Sequence, residues 1–299
     1  MRPLQGVGIT IKRAVGAALH TPTPTAPFCV LLCALTLQML YHLPLRATQG
    51  LLLSLFGLLG LSLPVPDYST LSRRRKKLTV PLSQSFQQSQ NLHLVVDSTG
   101  FKVYGEGEWK VRQHGWSKHR TWRKLHLGID QASGQVQAAV VTTAHQSDKA
   151  MLPSLLDQVE GHIAQVSGDG GYDYTDCYDY TDCYEAIAQR SAKATISPRC
   201  NGRIHPRSQR LRGRNENLAR IRELQGRRRR DKNWGRREWK KESGYHRRSL
   251  VETGMMRLKT IFGERLGARS EAGQKSELLL RCRALNRMTA LGMPQSYAI

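Results

Sequence analysis

The chain is short of carboxylates, of aromatic rings and of long apolar runs. Against 46 Lys and Arg it has 23 Asp and Glu, so its 299 residues carry a formal charge of +23. That imbalance argues against an acidic metabolic enzyme and points to a polyanionic partner. Aromatic residues make up 7%, yet the apolar share of 39% excludes a wholly disordered chain. Six cysteines (Cys29, Cys33, Cys177, Cys183, Cys200 and Cys282) form no Cys-x2-Cys pair, which excludes a zinc ribbon and a small disulfide scaffold. Reduced, buried thiols are expected instead. Phe28 to Tyr41 and Leu51 to Leu63 are the apolar runs, and neither reaches the roughly 20 residues of a membrane span. Thr21 to Pro27 does not fit the apolar part of a signal peptide. No membrane role is expected.

What charge there is lies unevenly. Residues 1–90 are net +8, residues 91–195 net −3, and residues 196–299 net +18. A middle stretch rich in carboxylates, between two basic flanks, suits a protein that holds metal ions at its centre and phosphates around it. Solvated surface charge is the plainer alternative for any one of these runs.

Residues 1–27 have weak periodicity and read as an irregular arm. Phe28 to Leu63 reads as two apolar helices broken near Pro44. Ser69 to Ser72 caps a short helix that ends in Arg73-Arg-Arg-Lys-Lys77. Two helices and a basic run are compatible with a small helix-turn-helix-like DNA module, or with a plain helical packing unit. Residues 78–90 form a linker. Then come strands: Leu92 to Val96, ended by an Asp97-Ser-Thr-Gly100 turn, and Phe101 to Tyr104. Arg123 to Asp130 alternates with Leu125, Leu127 and Ile129 on one side, and Val136 to Thr142 follows a tight turn. Asp148 to Glu160 is helical, His162 to Ser167 a strand, Tyr184 to Arg190 helical and Ala194 to Ser197 a strand. That order fits a mixed α/β sheet with helices on its faces. Residues 199–241 hold 17 basic residues and read as a mobile, partly ordered insertion. Tyr245 to Phe262 and Lys275 to Met288 are helices.

Two carboxylates, Asp97 and Asp169, stand at the ends of predicted strands, where side chains escape the packed faces. Glu252 lies in the Tyr245 helix. At 100° per residue, Tyr245, Arg248, Glu252 and Lys259 fall within roughly 60° of one another, so they share one face. A salt-bridged, solvated face is the alternative for this helix taken alone.

The spacing Tyr245-x2-Arg248-x3-Glu252-x6-Lys259 resembles the helix signature of the DDE transposases of bacterial insertion sequences, the insertion-sequence-five group in particular. Asp97-Ser-Thr-Gly100 and Gly168-Asp169-Gly170 resemble that group's first and second Asp motifs. Lys102 to Arg112, Trp122 to His126 and Leu43 to Arg75 are similar too, so the likeness runs from about Leu43 to Met288. It implies an α/β fold with a ribonuclease-H-like mixed sheet flanked by helices, a small N-terminal helical region and a basic insertion. The boundaries expected are an arm at 1–27, a helical and DNA-binding region with linker at 28–90, a catalytic domain at 91–289 with the insertion at 199–241, and a tail at 290–299.

The resemblance also implies chemistry. Asp97, Asp169 and Glu252 would be catalytic and would hold two Mg²⁺, or Mn²⁺ in its place, with Asp97 bridging both ions. Water would free a 3′-OH at each inverted-repeat end, and that 3′-OH would attack target DNA. Lys259 and Arg248 would hold phosphates, and Tyr245 would position DNA or simply pack. Trp109, Lys110, Arg112, Trp116, Lys118, Arg120, Trp122, Arg123 and Lys124 interleave rings with cations, as a DNA-gripping stretch does, or as an amphipathic hairpin does. The partners expected are double-stranded DNA, at the element's ends and at the target, and further copies of the chain on that DNA. The location expected is the bacterial cytoplasm, at the nucleoid.

One feature departs from the family pattern. Tyr172-Asp-Tyr-Thr-Asp-Cys177 is repeated at once as Tyr178-Asp-Tyr-Thr-Asp-Cys183. It adds Asp173, Asp176, Asp179 and Asp182 just after Asp169, decoys for a metal site. A catalytically inactive transposase relic, a non-enzymatic basic DNA-binding protein and a plain metal-dependent nuclease therefore stay open as alternatives.

Overall fold

The computed structural model describes residues 26–82, 91–103, 122–173, 183–228 and 230–292. The chain divides into two compact units. One comprises Met1–Val80 with Ser270–Arg281, the other Pro81–Arg269 with Cys282–Ile299. The reading from sequence set its boundary at residue 90 and left 270–281 with the catalytic part.

In the first unit, α1 (Ala26–Leu40) and α2 (Leu45–Leu58) are the two apolar helices, bent by 117° at the break. The break follows from Pro44, which cannot continue α1, and from His42 in the left-handed region at φ 51°. No single described helix is long and apolar enough to cross a membrane. In α3 (Tyr68–Arg75) the cap is not the expected serine. Asp67 accepts from the Ser69 N–H at 2.8 Å, so the helix starts earlier. Arg46 lies 4.4 Å over the Tyr68 ring and donates to its hydroxyl at 2.9 Å, tying α2 to α3.

The second unit is a mixed sheet, ordered β3-β2-β1-β4-β5, with β6 (Arg265–Leu266) added on β1. β1 (Leu92–Val103), β2 (Trp122–Asp130) and β3 (Val136–Thr143) form an antiparallel meander. The β2–β3 turn is made by Asp130, whose carboxylate accepts from Ser133 N–H at 2.9 Å and Ser133 O–H at 2.6 Å. β4 (Ile163–Gly168) and β5 (Lys193–Ile196) run parallel to β1. The expected turn at Asp97 to Gly100 is absent, and β1 runs straight through it. All four residues are paired with β2 over Leu127 to Lys124, and ladder bonds outweigh a local turn preference. Gly100 serves packing instead, since a Cβ there would stand 3.1 Å from the Trp122 ring.

Side-chain alternation gives β1 and β2 two faces. Leu94 and Val96 join Leu152, Leu155 and Leu156 of α4 (Asp148–Asp157) and Tyr184 and Ile187 of α5 (Cys183–Gln189) in the main core. Each such apolar side chain contributes about 1.5–3 kcal/mol by leaving water. On the opposite face, Ile129 and Phe101 meet α8 (Ser249–Phe262). A Cβ on Gly254 would stand 2.5 Å from Ile129 Cδ1, and Lys259 Nζ lies 5.8 Å from the Phe101 ring. Pro153 cannot bond to the Lys149 carbonyl within α4, and Cys183 Sγ reaches that oxygen at 3.7 Å.

The basic insertion is more ordered than expected. It holds α6 (Arg212–Arg227) and α7 (Trp234–Glu242), whose Ile221, Leu224 and Trp239 pack with Tyr245 into a small core. Leu218, Ile221 and Leu224 recur every three residues, a helical stripe hidden among the arginines. The last helix, α9 (Glu271–Leu291), also starts earlier than its apolar pattern suggested. The thiols are only partly as expected: Cys183 and Cys282 are buried, Cys29 is half-buried, and Cys33 and Cys200 are exposed. Cys177 lies outside the described residues.

Candidate active site

Parallel strands β1 and β4 stay in register up to Val95 opposite Ser167. Two residues further along come Asp97, still within β1, and Asp169, just past the end of β4. Asp97 is therefore within its strand, at the point where the β4 pairing ends, and not at a strand's end. Its Oδ1 accepts from the Ser98 N–H at 2.7 Å. Burial pushes its carboxyl above the ordinary range. The charges of Asp169 and Asp148 push it the same way, while the Ser98 N–H and Arg248 oppose them. Asp169 follows β4 and caps the turn Gly170–Tyr172, accepting from the Gly171 N–H at 2.8 Å.

The Tyr245 helix is two pieces. Tyr245–Arg248 is a 3-10 turn, and α8 begins at Ser249. Residues three apart eclipse in such a turn, so Arg248 stacks on Tyr245, 5.7 Å from the ring centre. Arg248 Nη2 pairs with Glu252 Oε1 at 3.0 Å. The positive charge of Arg248 also opposes the raised pKa of Asp97. Tyr245 is only 8% exposed and packs against Trp239 with ring centres 5.7 Å apart. Burial, foremost, raises its phenol pKa.

The DNA-gripping stretch is mostly beyond view. Trp109, Lys110, Arg112, Trp116, Lys118 and Arg120 lie outside the described residues, as does most of the tandem hexapeptide. Trp122 is half-buried against Gly100, with Lys102 Nζ 5.7 Å from its ring, and Arg123 is half-buried. Lys124 turns to a carboxylate of the same unit, Asp148 Oδ1, at 2.8 Å.

Asp148 was not among the expected site residues. It opens α4, with Lys124 at 2.8 Å and His126 Nδ1 at 3.2 Å from its Oδ1. Although burial alone would raise it, the His126 and Lys124 side chains beside it hold its carboxyl far below the usual carboxylate range. Its one sequence signal, Lys124 and His126 alternating on a strand, shows no carboxylate partner. The Tyr172 hydroxyl is buried and has no hydrogen-bond partner among the described residues. Its pKa lies well above the ordinary value because of burial and then the charges of Asp148, Asp97 and Asp169.

Asp173, read from sequence as a decoy, has a structural place. Fully buried, it accepts from Arg214 Nε at 2.7 Å, the Tyr184 hydroxyl at 2.9 Å and the Arg199 N–H at 2.6 Å. It thereby fastens α6 beside the end of β4.

Among the described residues no three Asp, Glu, His or Cys side chains converge closely enough to hold a metal ion as they stand. The donors nonetheless suit a hard cation. Burial, with the charge of Asp169, raises the proton affinity of the Asp97 carboxyl, and the orphaned Tyr172 hydroxyl lies near the same carboxylates. Glu252, one turn away, is held by Arg248.

Two family models, each described as a transposase DDE domain, match the chain, one over residues 88–287 and the other over residues 24–106. The first spans most of the chain and contains Asp97, Asp169 and Glu252. With its six-stranded mixed sheet flanked by helices, the second unit has the ribonuclease-H-like fold of such enzymes. The chain belongs to the DDE-domain transposases.

Proposed function

We propose that this transposase binds the inverted-repeat ends of an insertion sequence, cleaves them, and joins the freed 3′-OH ends to target DNA in the cytoplasm. The observation that carries this reading is that Asp97 in β1 and Asp169 just past the end of the neighbouring parallel strand β4 are near enough for the Asp169 charge to raise the Asp97 pKa, while Glu252 is held by Arg248 at 3.0 Å. Asp97, Asp169 and Glu252 would hold divalent metal, Mg²⁺ first. Such ions lower the pKa of the attacking water and stabilise the leaving oxygen. Burial keeps Asp97 short of solvent, so its charge acts at close range on whatever sits before it. Arg248 exchanges its contact with Glu252 for a DNA phosphate, which frees Glu252 for the site. Lys259, seven residues further along the same helix, adds a point charge for the next phosphate. The α6–α7 insertion, fixed through Asp173 and Arg214, offers an arginine-rich surface to duplex DNA. Two ends must be joined, so two or more copies would act together.

The test uses the full chain, Mg²⁺ and a DNA carrying the element's ends. Site-specific nicking and joining are expected. Asp97→Ala, Asp169→Ala and Glu252→Ala should each abolish nicking while end binding persists. Cleavage retained by any one variant removes that residue from the site. The tandem hexapeptide beginning three residues after Asp169 favours one second reading, an inactive relic that still binds DNA. Binding without cleavage by the unmodified chain would support it, and cleavage without joining would indicate a plain nuclease.

A further inference from the structure

We infer that the cleft between α1 and α3 holds a nucleotide of an unpaired DNA strand, its base against Phe28 and Leu31 and its phosphates on Arg73, Arg74 and Lys77; this rests on the DNA-processing reading above.

Thr70, Arg73, Arg74 and Lys77 recur at the spacing i, i+3, i+4 and i+7, which puts them on one helical face. The structure carries that face past the end of α3. Lys77 N–H donates to the Arg74 carbonyl at 3.0 Å and Leu78 N–H to the Arg75 carbonyl at 3.4 Å, so a further turn brings Lys77 into line. Arg73 Nη2 reaches the Thr70 hydroxyl at 3.4 Å along the same face. Leu71 and Arg75 take the other side: Leu71 is fully buried, and Arg75 pairs with Glu277. Arg73, Arg74 and Lys77 are exposed, and among the described residues none of them has a carboxylate partner.

α1 supplies the facing wall with Phe28 and Leu31, three residues apart. The cleft measures about 660 Å³ and no carboxylate lines it. That is the size of a small-molecule site, roughly 300–1,000 Å³. Phe28 stands in the first turn of α1, where the helix dipole favours an anion. Three unneutralised cations on one face repel one another, and an anion between them relieves that repulsion. An apolar wall with a ring, set against a row of cations, matches a ligand with a flat apolar body on an anionic backbone. A duplex hides the faces of its bases in the stack, so it would use the cations alone. An acidic peptide would leave the ring without a stacking partner. An unpaired nucleotide uses both walls.

The experiment uses the full-length chain without divalent metal, so that nothing is cleaved. The probes are a short oligothymidylate carrying one 5-iododeoxyuridine, and the same strand paired with oligodeoxyadenylate. Affinity is read by fluorescence anisotropy over a range of salt, and ultraviolet crosslinks are mapped by mass spectrometry. The single strand should crosslink to the peptide that contains Phe28. Arg73→Gln with Arg74→Gln, both exposed and so harmless to folding, should cut that crosslink about tenfold and lower the salt slope by roughly 0.7 per cation removed. Phe28→Leu should weaken the single strand about 5-fold or more and leave the duplex unchanged. Equal losses for strand and duplex would make the cleft a plain basic surface and overturn the inference. So would a Phe28 crosslink displaced as readily by oligoglutamate as by unlabelled strand. If the parent binds DNA but its crosslinks lie elsewhere and the variants bind like the parent, only this inference fails. If the parent binds neither probe, the DNA reading fails with it.

Discussion

Replacing Asp173 by Asn removes a charge from a buried ion pair in the second unit and keeps its shape. Arg214 is 4% exposed and would keep one partner, the Arg203 carbonyl at 2.8 Å from Nη1. Breaking a buried pair from one side costs about 3–5 kcal/mol, because the remaining charge is left uncompensated. An amide retains one acceptor oxygen, enough for Arg214 Nε or the Arg199 N–H but not both. The expected loss is therefore at the lower end, about 3 kcal/mol. For a unit of this size that lowers Tm by roughly 6–12 °C. The assay is thermal unfolding followed by circular dichroism, with hydrogen exchange of Arg212–Arg227 reporting the release of α6. Adding Arg214→Met should recover most of the loss, since an apolar replacement removes the orphaned charge. Asp179→Asn, at the same position of the second hexapeptide copy, is the control and should stay within about 0.5 kcal/mol. A drop below about 1 kcal/mol for Asp173→Asn, or equal drops for both, would refute the assignment of the anchor to the first copy.

Asp97→Asn should raise the Tm of the metal-free chain at neutral pH. The raised pKa of the folded carboxyl means that its stabilising contribution is complete at low pH and lost as pH rises through the raised value, and Asn is immune to that loss. Scans at neutral and acid pH decide it: a neutral-pH gain that shrinks on acidification is expected, and a neutral-pH loss would be contrary. Gly254→Ala should cut nicking without touching a carboxylate, because the new Cβ meets Ile129 Cδ1 at 2.5 Å and shifts α8. Adding Ile129→Val, which deletes that atom, should restore activity, and failure to do so would place the effect elsewhere. Trp239→Ala should cost about 3–5 kcal/mol of local stability in α6 and α7, read by hydrogen exchange, since Trp239 is 3% exposed within their small core. Exchange unchanged from the parent would show that the core does not hold them.

Much of the frame was legible because its signals are local. The alternation of Leu125, Leu127 and Ile129 marks a strand whatever surrounds it, and Pro44 ends a helix in any context. The order of strands and helices, and the motifs around Asp97, Asp169 and Glu252, led to the transposase family before any contact was known. Local signals also misled. Asp97-Ser-Thr-Gly100 has turn chemistry, but pairing with β2 kept it extended. Arginine density hid the Leu218, Ile221 and Leu224 stripe of α6.

The sequence by itself determined the residue types, their spacing and the elements that carry them, because periodicity and backbone restrictions act over a few residues. Tertiary structure alone decided which charges meet. Asp148 meets Lys124 and His126 across a strand and a helix start, and Asp173 meets Arg214 41 residues away. Arg248 pairs with Glu252, and its charge lowers the pKa of Asp97, 151 positions earlier in the sequence. A carboxylate's role depends on what lies within a few ångströms of it, and only the closed sheet with its two covered faces sets those distances.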